Sequence, residues 1–167
     1  HSVEVNDIFE LPPLPNWCFQ RDPQVVLGDG VVLSAMATPA RWREGLLARC
    51  LFRFHPALAA APEILDPLQP PAEHARHLSF HRPCLEGGDV LVLSPEGVAV
   101  GLSERTNRAA VELLLRVLAR RDEGPRWLEV VRLPSRRAYM HLDTVFTPAD
   151  RDAALVFPPL FDAEGPE

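Results

Sequence analysis

Short apolar runs broken by turn residues alternate along this chain with two stretches of helical period. Gln24-Val25-Val26-Leu27 and Val31-Val32-Leu33-Ser34-Ala35-Met36 flank the triplet Gly28-Asp29-Gly30, which predicts a β-hairpin. Thr38-Pro39 then opens a helix, with Thr at the N-cap and Pro at the first helical position. Trp42, Leu46, Leu47, Cys50 and Phe54 fall on one face of it, with Cys50 pointing inward. A second hairpin is read from Asp89-Val90-Leu91-Val92-Leu93, the turn Ser94-Pro95-Glu96-Gly97 and Val98-Ala99-Val100-Gly101-Leu102. A second helix covers residues 107–121, its stripe formed by Ala110, Val111, Leu114, Val117 and Leu118 and its end marked by Gly124-Pro125. Leu128–Leu133 and Met140–Phe146 read as strands, and Thr147-Pro148 as a further helix start or turn before Ala154–Phe157. Residues 3–23, punctuated by Pro12, Pro13, Pro15 and Pro23, form an extended lead-in. The segment 62–83 is a connection with a short helix at Pro71–Leu78.

The unit "hairpin, helix, strand" therefore recurs, and one spacing gives the recurrence a functional edge. Asp22 lies 19 residues before Arg41, and Glu86 lies 19 residues before Arg105. A hairpin returns the chain to the end where it began, so each acid and its arginine should emerge on the same edge of a sheet. Two such units about a common axis would point four charged groups at one cavity.

Composition narrows the partners. The net charge of −6 and the absence of a basic face argue against nucleic acid, and no stretch approaches the roughly 18 apolar residues of a membrane helix. A soluble, cytoplasmic protein is the expectation. All 17 basic residues are arginine. The three cysteines, Cys18, Cys50 and Cys84, form neither a paired framework nor a CxxC motif and read as free thiols. His1-Ser2 reads as a tag remnant on an internal boundary, so residues 1–167 are expected to be part of a longer catalytic domain. His74, His77, His81 and Cys84 have metal-ligand chemistry, but their spacing fits no common zinc pattern, and no metal or other cofactor is expected.

Four segments carry the chemistry: Pro15-Asn16-Trp17-Cys18-Phe19-Gln20-Arg21-Asp22-Pro23, Glu86-Gly87-Gly88-Asp89, Gly101-Leu102-Ser103-Glu104-Arg105-Thr106 and Met140-His141-Leu142-Asp143-Thr144-Val145-Phe146. In this order, from about Pro13 to Pro158 and including Phe54-His55-Pro56, they resemble the arginine deiminases of the guanidino-group-modifying, or pentein, superfamily. The resemblance implies an α/β fold, part of a five-bladed α/β propeller of ββαβ units, with about three units present.

A guanidinium is a planar cation with five N–H donors, and holding it while leaving its central carbon open calls for carboxylates in its plane. The resemblance assigns that role to Asp22 and Asp143. It makes His141 the acid/base, and a strand would turn His141 and Asp143 the same way. It makes Glu86 the residue that keeps His141 protonated. Arg41 and Arg105 would grip the substrate α-carboxylate or order the pocket, and Asn16 would lie near that carboxylate. Asp89 either binds substrate or caps its turn, and Gly87-Gly88 let the backbone approach a ligand closely. The plain alternatives are a turn acid at Asp22, a strand-entry glutamate at Glu86 and surface ion pairs at both arginines.

The implied reaction is hydrolysis of L-arginine to L-citrulline and ammonia through an amidino-cysteine. None of Cys18, Cys50 and Cys84 matches the family nucleophile, so this stretch alone is expected to be inactive. An incomplete propeller would pair with its missing segments or with another copy. Dimethylargininase, agmatine deiminase and amidinotransferase activities are the neighbouring enzymatic readings. A noncatalytic module binding a guanidino ligand or a protein partner is the reading from another class.

Overall fold

The computed structural model describes residues 13–70 and 82–161. Strands β1 (Gln24–Leu27) and β2 (Gly30–Leu33) form the first hairpin, whose turn carries Gly28 at φ +60°, a conformation glycine adopts without strain. Helix α1 (Trp42–Phe54) follows, preceded by a 3-10 turn over Pro39–Arg41. Strand β3 (Glu63–Leu65) then adds parallel to β2, placing Val31 opposite Glu63. The construction repeats with β4 (Val90–Ser94), β5 (Gly97–Leu102), helix α2 (Arg108–Leu118) and β6 (Trp127–Arg132), the last again parallel to the second hairpin strand. A third antiparallel hairpin, β7 (Phe146–Pro148) and β8 (Ala154–Val156), occupies the segment expected to start a helix or turn at Thr147-Pro148. Among the described residues the sheets are three separate ones and none closes on itself. The short helix expected at Pro71–Leu78 lies outside the described residues, as do His74, His77 and His81.

Helix α2 starts where the polar pattern placed it. The Asn107 side chain accepts the Ala110 N–H at 3.1 Å, satisfying one of the N–H groups that a helix start leaves open. Its apolar stripe does two jobs. Ala110, Val111, Leu113, Leu114 and Leu118 pack on Val98 and Val100 of their own sheet and also share a core with Val25, Leu27, Val32, Ile64 and Leu65 of the first sheet. One helix thus joins two units.

Helix α1 reverses the sequence expectation. Its buried face is Glu44, Gly45, Ala48 and Arg49, while Trp42, Leu46 and Phe54 are 53%, 46% and 78% exposed, and Leu47 and Cys50 are also exposed. Charged side chains can face inward here because they are fully paired. The Arg49 guanidinium donates to the Asp66 carboxylate (Nε to Oδ2, 2.8 Å) and to the carbonyls of Ser34 (2.9 Å) and Gly45 (2.8 Å). Cys50 therefore points outward rather than inward. Thr38 precedes the first helical turn as expected but makes no side-chain cap hydrogen bond.

The expected strand Met140–Phe146 is also corrected. Leu142–Thr144 form a 3-10 turn, closed by the Thr144 N–H on the His141 carbonyl at 3.2 Å, and strand geometry begins at Phe146. The Thr144 hydroxyl donates to that same carbonyl at 2.6 Å, a local bond that competes with an extended ladder.

Candidate active site

Both acid-to-arginine pairs emerge on the same side of their hairpins, as the spacing required. Arg41 Nη1 donates to Asp22 Oδ2 at 2.6 Å and lies 3.6 Å from Glu86 Oε2; Arg105 Nη1 lies 3.9 Å from Glu86 Oε1. His141 joins them from the segment between β6 and β7, with Nε2 at 2.9 Å from Glu86 Oε2 and Nδ1 at 3.9 Å from Asp22 Oδ1. Asp22, Arg41, Glu86 and His141 are all buried. Three separate stretches of the chain thus contribute to one polar cluster, which a chain only buries when its charges are paired.

The glycines explain how the cluster closes. The Gly87 N–H donates to the Asp22 carbonyl at 2.9 Å, drawing the two segments together. A Cβ at Gly88 would stand 2.7 Å from the His141 ring and 3.0 Å from Asp22 Oδ1, so only glycine admits both side chains there. Residues Gly87–Asp89 form a 3-10 turn directly after Glu86, whose own backbone is extended and whose side chain is fully buried.

Burial alone would raise the Glu86 carboxyl. The His141 hydrogen bond and the Ala37 N–H at 3.0 Å outweigh it and hold the group below the usual carboxylate range. For His141 burial works the other way. Desolvation lowers the imidazole, but the Glu86 hydrogen bond and the charges of Asp22, Asp89 and Glu86 leave it above its ordinary value. The geometry therefore favours an imidazolium held by an ionised glutamate.

Asp89 is fully buried and already committed. Oδ1 accepts the Leu142 N–H at 2.9 Å and Oδ2 accepts the Ser103 hydroxyl at 2.6 Å, so this carboxylate ties the Gly101–Thr106 segment to the turn carrying His141. Burial pushes it up to about 6 in spite of these bonds. Asp143 is partly exposed, and burial raises it against the opposing pull of His141 and Arg21. Asn16 sits half-buried in the turn before Phe19, and no hydrogen bond among the described residues links its side chain to the cluster.

Sequence reasoning passed over Glu44. It accepts Arg41 Nε at 3.2 and 3.0 Å and Arg41 Nη2 at 2.6 Å, and is 1% exposed. The signal was an acid three residues after Arg41 at the start of the helix, the spacing at which side chains meet. Asp22, Glu86 and His141 also lie close enough to share a cation. The Arg41 guanidinium already stands between the two carboxylates, so the cluster has its positive charge from the protein.

The family model described as arginine deiminase matches residues 1–167. The chain belongs to the arginine deiminase family. Over 159 residues it is 37% identical to the arginine deiminase of Bacillus cereus (strain B4264), covering 94% of this chain and 36% of that protein. Over 171 residues it is 39% identical to the arginine deiminase of Staphylococcus haemolyticus (strain JCSC1435), covering 98% and 38%. The chain thus spans little more than a third of these relatives. Among solved structures it is similar to a DDAH from Pseudomonas aeruginosa complexed with citrulline, with TM-score 0.61, 19% identity and coverage of 87% of this chain and 48% of that one. It is also similar to an amidinotransferase from Microseira wollei, with TM-score 0.56, 22% identity and coverage of 81% and 41%. These likenesses establish the mixed α/β pentein fold. Among the described residues, no helix is long and apolar enough to cross a membrane.

Proposed function

We propose that the protein carrying this chain hydrolyses L-arginine to L-citrulline and ammonia in the cytoplasm. The observation that supports this reading best is the imidazole of His141 held between Glu86 and Asp22, with Asp143 two residues further on. Asp22 and Asp143 accept the N–H groups of the substrate guanidinium. A cysteine thiolate from outside these 167 residues adds to the guanidinium carbon. None of Cys18, Cys50 and Cys84 has a hydrogen bond to the cluster among the described residues, which supports an external nucleophile. The protonated His141 gives its proton to the departing nitrogen, which leaves as ammonia and creates the amidino-cysteine. The now neutral His141 takes a proton from water, the hydroxyl adds to the same carbon, and expulsion of the thiolate releases citrulline. Arg105, whose guanidinium lies 3.9 Å from its ion-pair partner Glu86, grips the substrate carboxylate, while Arg41, held by Glu44 and Asp22, orders the pocket. Asn16 completes the carboxylate end. No metal or organic cofactor enters these steps.

The test is citrulline and ammonia release from L-arginine, with agmatine and dimethylarginine in parallel. The full-length gene product should favour L-arginine, Asp22→Ala should abolish turnover, and the isolated 167-residue chain should be inactive. Turnover by that chain alone would overturn the external nucleophile.

We further propose that these units belong to a five-bladed propeller, about three blades of which lie in this chain. The support is internal repetition. Asp22 and Glu86, and likewise Arg41 and Arg105, stand 64 positions apart. At that offset the exposed Leu46, Leu47, Cys50 and Phe54 of α1 correspond to the buried Ala110, Val111, Leu114 and Leu118 of α2, which cover the sheet of the preceding unit. The outer stripe of α1 therefore fits the sheet of a further unit of the same polypeptide. In the full-length gene product Cys50 should react with a disulfide reagent at least about tenfold more slowly than the exposed Cys18, at every protein concentration. Protection that vanishes on dilution would assign the stripe to a second copy instead, and rapid labelling throughout would refute its burial.

A further inference from the structure

Asp22 and Asp143 present like charges to one small volume, and each has its own arginine. Asp22 has Arg41, and Asp143 has Arg21, whose Nε lies 3.8 Å from Asp143 Oδ2. Among the described residues the Asp143 carboxylate has no other ion-pair partner. Arg21 is itself anchored: Nη2 donates to the Val90 carbonyl at 3.3 Å, on the first residue of β4. Its backbone is pinned as well, because its carbonyl packs so closely on Gly87 that no Cβ fits between them. Arg21, itself in the loop before β1, therefore touches the Gly87 turn, the start of β4 and the turn bearing Asp143. From adjacent positions, Arg21 and Asp22 deliver a cation to one carboxylate and a second carboxylate to the pocket.

We infer that Arg21 is a positioning residue, bracing the Asp143 carboxylate toward the guanidinium site from an anchor on β4 and offsetting its repulsion with Asp22. This role rests on the proposed guanidino chemistry, but the contact itself is independent of it. The groups facing Asp143 are His141 and Arg21, which favour its ionised form, and Asp22, which opposes it; burial opposes it most. Substrate needs the ionised carboxylate, so removing the Arg21 charge moves the acid limb of activity to higher pH.

Two measurements decide the matter in the full-length gene product. The first is kcat and KM for L-arginine against pH in wild type, Arg21→Gln and Arg21→Lys. Arg21→Gln should move the acid limb of kcat/KM up by about half to one pH unit and raise KM about three- to tenfold near pH 6, with kcat within about twofold. Arg21→Lys should restore the limb while KM stays raised, since a lysine keeps the charge but not the fork that reaches both Asp143 and the Val90 carbonyl. A profile in Arg21→Gln that overlays the wild type would overturn the inference. The second is a melting-temperature cycle with Asp143→Asn. Arg21→Gln should lower Tm more in the wild-type background than in Asp143→Asn, where only the bond to the Val90 carbonyl is lost; equal shifts in both would show that Arg21 does not act through Asp143. Should wild type fail to turn over L-arginine, the proposed function falls, and the melting cycle still decides the pairing.

Discussion

His141→Ala in the full-length gene product should lower kcat on L-arginine by about three orders of magnitude, with KM changed far less. A positioned acid/base group contributes about 10²- to 10⁴-fold, and His141 serves both half-reactions in the proposed scheme, so the upper part of that range applies. Glu86→Gln should act through the same group. It keeps the shape of the side chain but removes the charge that holds the imidazole above its ordinary value, so the alkaline limb of kcat should move to lower pH. The stability consequence has the same direction. A histidine whose folded pKa is raised contributes stability that is complete below the unfolded value near 6.5 and is lost as pH rises through the folded one. Wild type should therefore lose part of its melting temperature between neutral and mildly alkaline pH, and His141→Ala should not. Steady-state kinetics and melts over that window check both halves. Unchanged kcat in His141→Ala would remove the acid/base role.

His141 was singled out by the resemblance of its segment to the arginine deiminases, whereas the elements around it were legible, or hidden, for physical reasons. Hairpins announce themselves through β-branched runs and turn glycines, so β1–β2 and β4–β5 stand where the pattern put them. The equal spacing of Asp22 to Arg41 and Glu86 to Arg105 carried over because an antiparallel pair must return its ends to one edge, which the 2.6 and 3.9 Å contacts display. The turn at Leu142–Thr144 was hidden because Thr144 bonds back to the His141 carbonyl, a local preference that an apolar alternation count does not register. Glu44 and Arg21 were hidden for a different reason. Their partners lie across a helix turn or in another unit, and a side chain committed to an ion pair has no periodic signature. Residue type left Asp89 open between binding substrate and capping its turn, and its bonds to the Ser103 hydroxyl and the Leu142 N–H depend on segments that no local pattern brings together.

Helix α1 sharpens this point into a measurable claim. Periodicity assigns its apolar stripe to the core, yet the inward face carries Arg49, and the Asp66 side chain that meets it is 0% exposed. Asp66 also accepts Arg53 Nη2 and the Leu68 N–H, each at 3.0 Å, so one carboxylate satisfies a helix, the end of β3 and the following loop. Asp66→Ala leaves the Arg49 guanidinium buried with only carbonyl partners. Removing one member of a buried pair costs about 3–5 kcal/mol, most of it the penalty of the stranded charge. Replacing both members with apolar residues of matching volume should cost much less, because no charge then remains inside. Burial opposes the ionised form of Asp66, but the Arg49 hydrogen bond and charge prevail and lower its pKa. A depressed carboxylate contributes stability above its unfolded value near 4 that is lost as pH falls through the folded one. Urea melts of wild type, Asp66→Ala and an Arg49→Met/Asp66→Leu double variant at pH 7 and pH 3.5 should therefore show the single variant far below both others at neutral pH and the gap narrowing in acid. A single variant as stable as wild type would mean that the inward face of α1 is held by Ala48 and Gly45 packing alone, and that the outward apolar stripe needs another cause.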